Sequence, residues 1–225
     1  MDLIESAGSG ASSSAGQGGR LGARATNLSL ALVGLLLPAL SACTSTTSTA
    51  APAPPARVAA LPTVRAAFGT SLPPWRRPIN VQGGADAAGL RIGPKQSPAQ
   101  RFYCHLDVFI DGKRTPVAAG LGVDGDYVSE LRTSDTTGTL EVESSGADKR
   151  YVLGQLFIEW DVRLGPAYLG GLTVDATHNL TAFVNGTEVS GDPARIELVP
   201  HREIALVYGT PPSKIPNTYG FPAGS

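Results

Sequence analysis

Apolar and polar residues alternate in short runs over residues 100–208, the period-two pattern of strands buried on at least one face. The longest run, 102–110, reads Phe-Tyr-Cys-His-Leu-Asp-Val-Phe-Ile and ends in Asp111-Gly112, a hairpin turn signal. A returning strand over 114–117 contains Pro116, which confines it to an edge or a loop. Further strands are predicted over 139–144, 179–184, 195–199 and 203–208; Asn185-Gly186 marks a second hairpin that continues into Glu188 and Val189. Leu153, Leu156, Phe157 and Trp160 break the alternation: their i, i+3, i+4, i+7 spacing makes one apolar helical face, so a short helix is predicted over 153–162 with these four residues in the core. The tail after 209 is too rich in proline for a central strand. The pattern predicts an α+β, mainly β fold: a hairpin-rich antiparallel sheet with one short amphipathic helix.

A different hydropathy pattern occupies the beginning of the chain. Arg20 and Arg24 precede an apolar run over 28–40, which is of secretory length, short for a bilayer span, and carries Pro38 near its end. Leu40-Ser41-Ala42-Cys43 follows and resembles the lipobox of bacterial lipoproteins, in which the cysteine is diacylated and becomes the new amino terminus. That resemblance implies a signal peptide over 1–42, lipidation of Cys43, and an extracytoplasmic protein anchored to the cell membrane. Residues 1–19, rich in Gly, Ser and Ala, are long for an n-region and suggest a start assigned too far upstream. Residues 43–78 are dominated by Ser, Thr, Ala and Pro. They bury too little apolar surface to repay their ordering entropy and read as a disordered tether. Residues 79–225 are one domain's worth of chain, a mainly β exported domain with a proline-rich tail.

Charge and cysteine content narrow the function classes. The 18 basic and 19 acidic residues are interspersed and give a net charge of −1, so there is no electrostatic footprint for nucleic acid. Of the two cysteines, lipidation would consume Cys43, leaving Cys104 without a disulfide partner and reading as a small buried strand residue. His105, His178 and His201 are far apart, with none of the spacings that preassemble a metal site. Ser134, Asp135 and His105 are a triad only in residue type, with no Gly-x-Ser-x-Gly elbow. Asp124-Gly-Asp126 reads as a turn, because the further oxygen ligands of a calcium loop are missing. Glu141 and Glu143 share a strand face, where glutamates are ordinarily solvated.

Four stretches carry a family resemblance: HLDVFIDG at 105–112, LRTSDTTGTLEVES at 131–144, LGQLF at 153–157 and PHREIA at 200–205. In them the exported domain resembles an uncharacterised group of histidine-rich bacterial envelope proteins. The family pattern implies alternating histidines in the first stretch, where one strand face would present them to a transition metal. This chain departs from it: Tyr103, Arg132, Ser134 and Glu141 stand where the family has histidine, and His105 and His201 are retained. A residual site for copper or zinc would then comprise Cys104, His105, Glu141 and His201. The leading expectation is a non-enzymatic binding or accessory structural role in the envelope, with an unidentified partner there. A copper or zinc protein with a degenerate histidine site is the alternative, and a hydrolase the third reading.

Overall fold

The computed structural model describes residues 59–63, 67 and 69–221. The apolar run 28–40, Cys43 and the first part of the Ser/Thr/Pro tract lie outside the described residues.

Helix α1 (Val81–Ala87) leads into strands β1 (Ile92–Pro94), β2 (Gln100–Ile110), β3 (Lys113–Thr115), β4 (Val123–Asp124), β5 (Tyr127–Ser129), β6 (Leu131–Thr133), β7 (Thr139–Ser144) and β8 (Tyr151–Val152). Helix α2 (Leu153–Glu159) follows, then β9 (Leu164–Gly165), β10 (Tyr168–Leu169), β11 (Leu172–Thr173), β12 (Leu180–Val184), β13 (Thr187–Val189), a 3-10 turn (Pro193–Arg195), β14 (Glu197–Leu198) and β15 (Glu203–Tyr208). The α+β, mainly β class stands. The principal sheet has seven strands in the order β13-β12-β15-β2-β7-β6, with β3 added to the far end of β2. Its pairings are antiparallel except for β2 with β15, which run parallel with His105 opposite Glu203. Two small three-stranded sheets, β1-β5-β4 and β11-β10-β9, and the β14-β8 pair complete the fold.

Both hairpin signals produce turns with two residues at positive φ: Asp111 (48°) and Gly112 (76°), Asn185 (50°) and Gly186 (78°). That geometry matches the right-handed twist of the flanking strands. Strand β3 stops at Thr115, just before Pro116, as the missing N–H requires. Asp124-Gly-Asp126 lies at the tight connection between β4 and β5.

The helix predicted from residue 153 ends at Glu159. Its predicted face (Leu153, Leu156, Phe157 and Trp160) lies in the main core, but Gly154, Gln155, Ile158 and Glu159 are buried as well. It is therefore surrounded by protein rather than amphipathic on a surface. Gln155 meets the polar demand of that burial: its Oε1 accepts from Val152 N–H (3.1 Å) and its Nε2 donates to the Ala88 carbonyl (3.1 Å). The second helix, α1, was hidden in sequence by Gly83-Gly84, which disfavour a helix interior. Asn80 caps it by accepting from Gly83 N–H (2.9 Å), and a Cβ on Gly84 would lie 2.7 Å from the Glu159 carbonyl. Helix α1 can thus approach α2 only without a side chain there.

The tether read over 43–78 does not extend to its predicted end. Trp75 is buried edge-on against Trp160, with ring centroids 5.7 Å apart, and its Nε1 donates to the Ser71 carbonyl (2.8 Å). Gly69 accepts from Arg163 N–H (3.0 Å) and Ser71 from Gly171 N–H (2.8 Å). Proline-rich composition concealed a segment that one tryptophan pins to the core.

Candidate functional site

Strand β2 divides its side chains strictly between two faces. Phe102, Cys104, Leu106 and Val108 enter the main core; Arg101, Tyr103, His105, Asp107 and Phe109 alternate with them on the other face. The neighbouring strands repeat this. Leu140, Val142, Ile204 and Leu206 go forward, while Glu141, Glu143, Glu203 and Ala205 go back. The rear face is therefore rich in charge, yet Arg132, His105, Asp107, Glu143 and Glu203 are all buried.

Two clusters divide this face. In the first, Arg132 Nη2 lies 2.8 Å from both Glu141 Oε1 and Glu143 Oε2, and Arg101 Nη2 lies 3.0 Å and 2.6 Å from Glu141 Oε1 and Glu143 Oε1. The Tyr103 hydroxyl donates to Glu141 Oε1 (3.1 Å). Burial works against ionisation of Glu141, but Arg132, the Tyr103 hydroxyl and Arg101 outweigh it and hold the carboxyl below the usual carboxylate range.

The second cluster centres on His105. Its Nδ1 is 2.8 Å from Glu203 Oε2 and 3.9 Å from Asp107 Oδ2, and its Nε2 is 2.8 Å from the Thr137 carbonyl. A carbonyl only accepts, so Nε2 carries a hydrogen, and the Nδ1–Glu203 contact holds one more. Arg114 binds Asp107 Oδ1 and the Thr137 carbonyl. Burial pushes the Glu203 carboxyl above the ordinary range; His105 opposes that shift and Asp107 reinforces it. Among the described residues, Glu203 Oε1 is buried without a hydrogen-bond partner. Gly138 makes the cluster possible: at φ 94°, with its Cα hydrogens against the Leu106 carbonyl, it brings the 134–138 loop close enough for Thr137 to reach the ring.

The C-terminal tail crosses this face. Ile215 packs on Phe109, Ala205 and Val207, and the Tyr219 ring stacks on His105 at 3.7 Å and 10°. The Tyr219 hydroxyl accepts from Thr139 Oγ1 (3.1 Å).

The residual set Cys104, His105, Glu141 and His201 is not brought together. Cys104 faces the main core, where burial pushes its thiol up to about 12, so no thiolate is available at neutral pH. Glu141 is committed to its two arginines. His201 is exposed at the turn ahead of β15 at φ 58°, with its ring 5.0 Å from Phe221. Among the described residues, the His, Cys, Asp and Glu side chains that do converge are His105, Asp107 and Glu203, whose ligand atoms lie within 4.8 Å of one another. Alternation along one strand puts Asp107 on the face of His105, but sequence reasoning missed Glu203, because parallel pairing across nearly a hundred residues leaves no local trace.

The Ser134–Asp135–His105 arrangement is not assembled either. Both nitrogens of His105 face Glu203 and Thr137, and Asp135 accepts instead from Thr137 N–H (2.8 Å). Clefts of about 270 Å³ beside Arg91, Glu130 and Arg132 and about 350 Å³ beside Trp75 and Arg76 do not include His105, Asp135 or Glu141. On the forward side sits another residue missed in sequence, Glu159. Fully buried, it has a carboxyl raised to about 8 by burial, opposed by the Ser129 hydroxyl and reinforced by Glu130.

Comparison with known proteins finds no matching family model, no matching curated protein and no matching solved structure.

Proposed function

We propose that the chain is a lipid-anchored protein of the bacterial cell envelope whose folded domain acts by binding, or as an accessory structural part, rather than by catalysis. The observation that carries this reading is Leu40-Ser41-Ala42-Cys43 at the end of an apolar run of secretory length. The folded domain is compatible with such a role, because its buried ionisable groups are largely engaged with one another. Arg132 serves Glu141 and Glu143, and His105 serves Glu203 and Thr137.

Membrane fractionation of cells expressing the whole chain tests the proposal. Two acyl chains hold a protein firmly where one holds it marginally, at about 0.8 kcal/mol per buried methylene. Cys43→Ala is expected to move the protein to the soluble fraction, and unchanged membrane retention of that variant would overturn the anchor. The alternative of a metal-binding protein finds support in the convergence of His105, Asp107 and Glu203.

A further inference from the structure

We propose that His105, Asp107 and Glu203 form a binding site for one divalent first-row transition-metal ion, a site different from the set suggested by the retained histidines. The proposal rests on the folded domain and is independent of lipid anchoring.

The donor set is one imidazole nitrogen and two carboxylates, which suits zinc and its neighbours better than calcium or magnesium. Bonds of about 2.1 Å to a tetrahedral ion put ligand atoms roughly 3.4 Å apart. The Nδ1 separations of 2.8 Å to Glu203 and 3.9 Å to Asp107 straddle that spacing. The independent pointer is Glu203 Oε1. It belongs to a side chain only 1% exposed, and among the described residues it has no hydrogen-bond partner. Buried carboxylate oxygens are ordinarily satisfied, and an ion is one of the partners that explain an exception.

The groups around the cluster are arranged as metal ligands require. A ligating histidine usually donates its second ring nitrogen to a carbonyl or carboxylate, which fixes its orientation. Here Nε2 faces the Thr137 carbonyl, leaving Nδ1 toward the carboxylates. Asp107 is held through Oδ1 by Arg114, with Oδ2 on the Nδ1 side. Glu203 is held at its backbone, where its N–H donates to Asn185 Oδ1 (3.0 Å). Metal binding replaces the hydrogen between Nδ1 and Glu203, which leaves to solvent. Among the described residues, Arg114 is the one cation in direct contact with these ligands, and its charge opposes a second cation.

That opposition separates a metal site from a plain ion-pair network. The test is calorimetric titration of the purified full chain in detergent with zinc chloride, against a weak competing chelator and with calcium and magnesium in excess. One zinc per chain is expected. Glu203→Gln keeps the volume and should weaken binding by at least about 10-fold, the lower end of what loss of a ligand's supporting partner alone produces. Cys104→Ser and His201→Ala should leave binding unchanged, and Arg114→Gln, whose amide can donate to Asp107 from the place of Nε, removes only the charge and should tighten it. Circular dichroism and thermal melts of every variant in zinc-free buffer establish folding. If His105→Gln fails to fold, the Glu203 and Arg114 variants still decide. Absence of stoichiometric zinc binding, or binding indifferent to Glu203→Gln, would overturn the site.

Discussion

The two faces of the principal sheet are made by the same strands, and both are buried, yet they are held by different physics. Forward-facing Leu106, Leu140, Val142 and Leu206 are shielded by α2 and its surroundings in a continuous apolar core. Rear-facing Arg132, Glu143, His105 and Glu203 are shielded by one another and by a tail that supplies Ile215 and Tyr219. On the forward face each side chain contributes area, and its loss costs in proportion to what it buried. On the rear face each charge is tolerated because its partner is present, so the cost of a loss falls on the group left behind. Stability on one side is a sum, and on the other it is a set of conditions.

The largest expected effect lies on the forward side. Phe157→Ala should destabilise the domain by about 3–5 kcal/mol, read from chemical denaturation midpoints, because the Phe157 ring is 1% exposed and its loss leaves a cavity in the core. A loss below about 1 kcal/mol would mean that α2 is not packed as described. On the rear side, Arg132→Leu should cost roughly 3 kcal/mol by removing the buried partner of Glu141 and Glu143 and leaving them the half-exposed Arg101. The comparison is sharpened by replacing all three residues with leucine. If the rear face works by pairing, the triple variant recovers much of the loss, since apolar replacement of a whole buried ion network is often close to neutral. Three equivalent truncations on the forward face should instead accumulate.

Glu159 is the exception on the forward side, and pH exposes it. Its carboxyl is raised to about 8 in the folded protein, and an unfolded glutamate titrates near its ordinary value of about 4.3. The folded state therefore holds the proton more tightly. The stability linked to this group is fully present below the unfolded value and is lost as pH rises through about 8. The steepest loss is about 1.4 kcal/mol per pH unit. Glu159→Gln should remove this slope, so the variant gains on the wild type in melts run at increasing pH from 5 to 8. Parallel curves would show that Glu159 is ionised inside the core or reaches water.

What the sequence disclosed follows the same division. Local patterning found β7 and β15 at their observed bounds, both type-specific turns, and the buried face of α2, because alternation, Asx-Gly pairs and helical spacing are written in neighbouring residues. It found less of the rear face. Glu141 and Glu143 read as solvated because burial depends on Arg132 one strand away, and Glu203 joins His105 only through a long-range parallel pairing. Gly83-Gly84 and the proline-rich approach to Trp75 were misleading for one reason: local propensity disfavours order there, and tertiary contact with Glu159 and Trp160 overrides it. Cys43 and its tract are read from sequence alone.

The smallest predicted effect tests whether the rear cover is a lid or merely a neighbour. Tyr219 contributes a ring stacked on His105 and a hydroxyl accepting from Thr139, on a tail without regular secondary structure. Tyr219→Ala should cost about 1 kcal/mol, comparable with an aromatic pair beyond its area. Forward-face packing does not pass through the tail, so hydrogen exchange should accelerate at Thr139 and His105 while α2 amides keep their protection up to the change in global stability. Uniform acceleration across both faces would show that the tail belongs to the cooperative core. Selective acceleration would make it a strap over the charged groups of the rear face, and that strap would be the barrier to an ion bound by His105, Asp107 and Glu203.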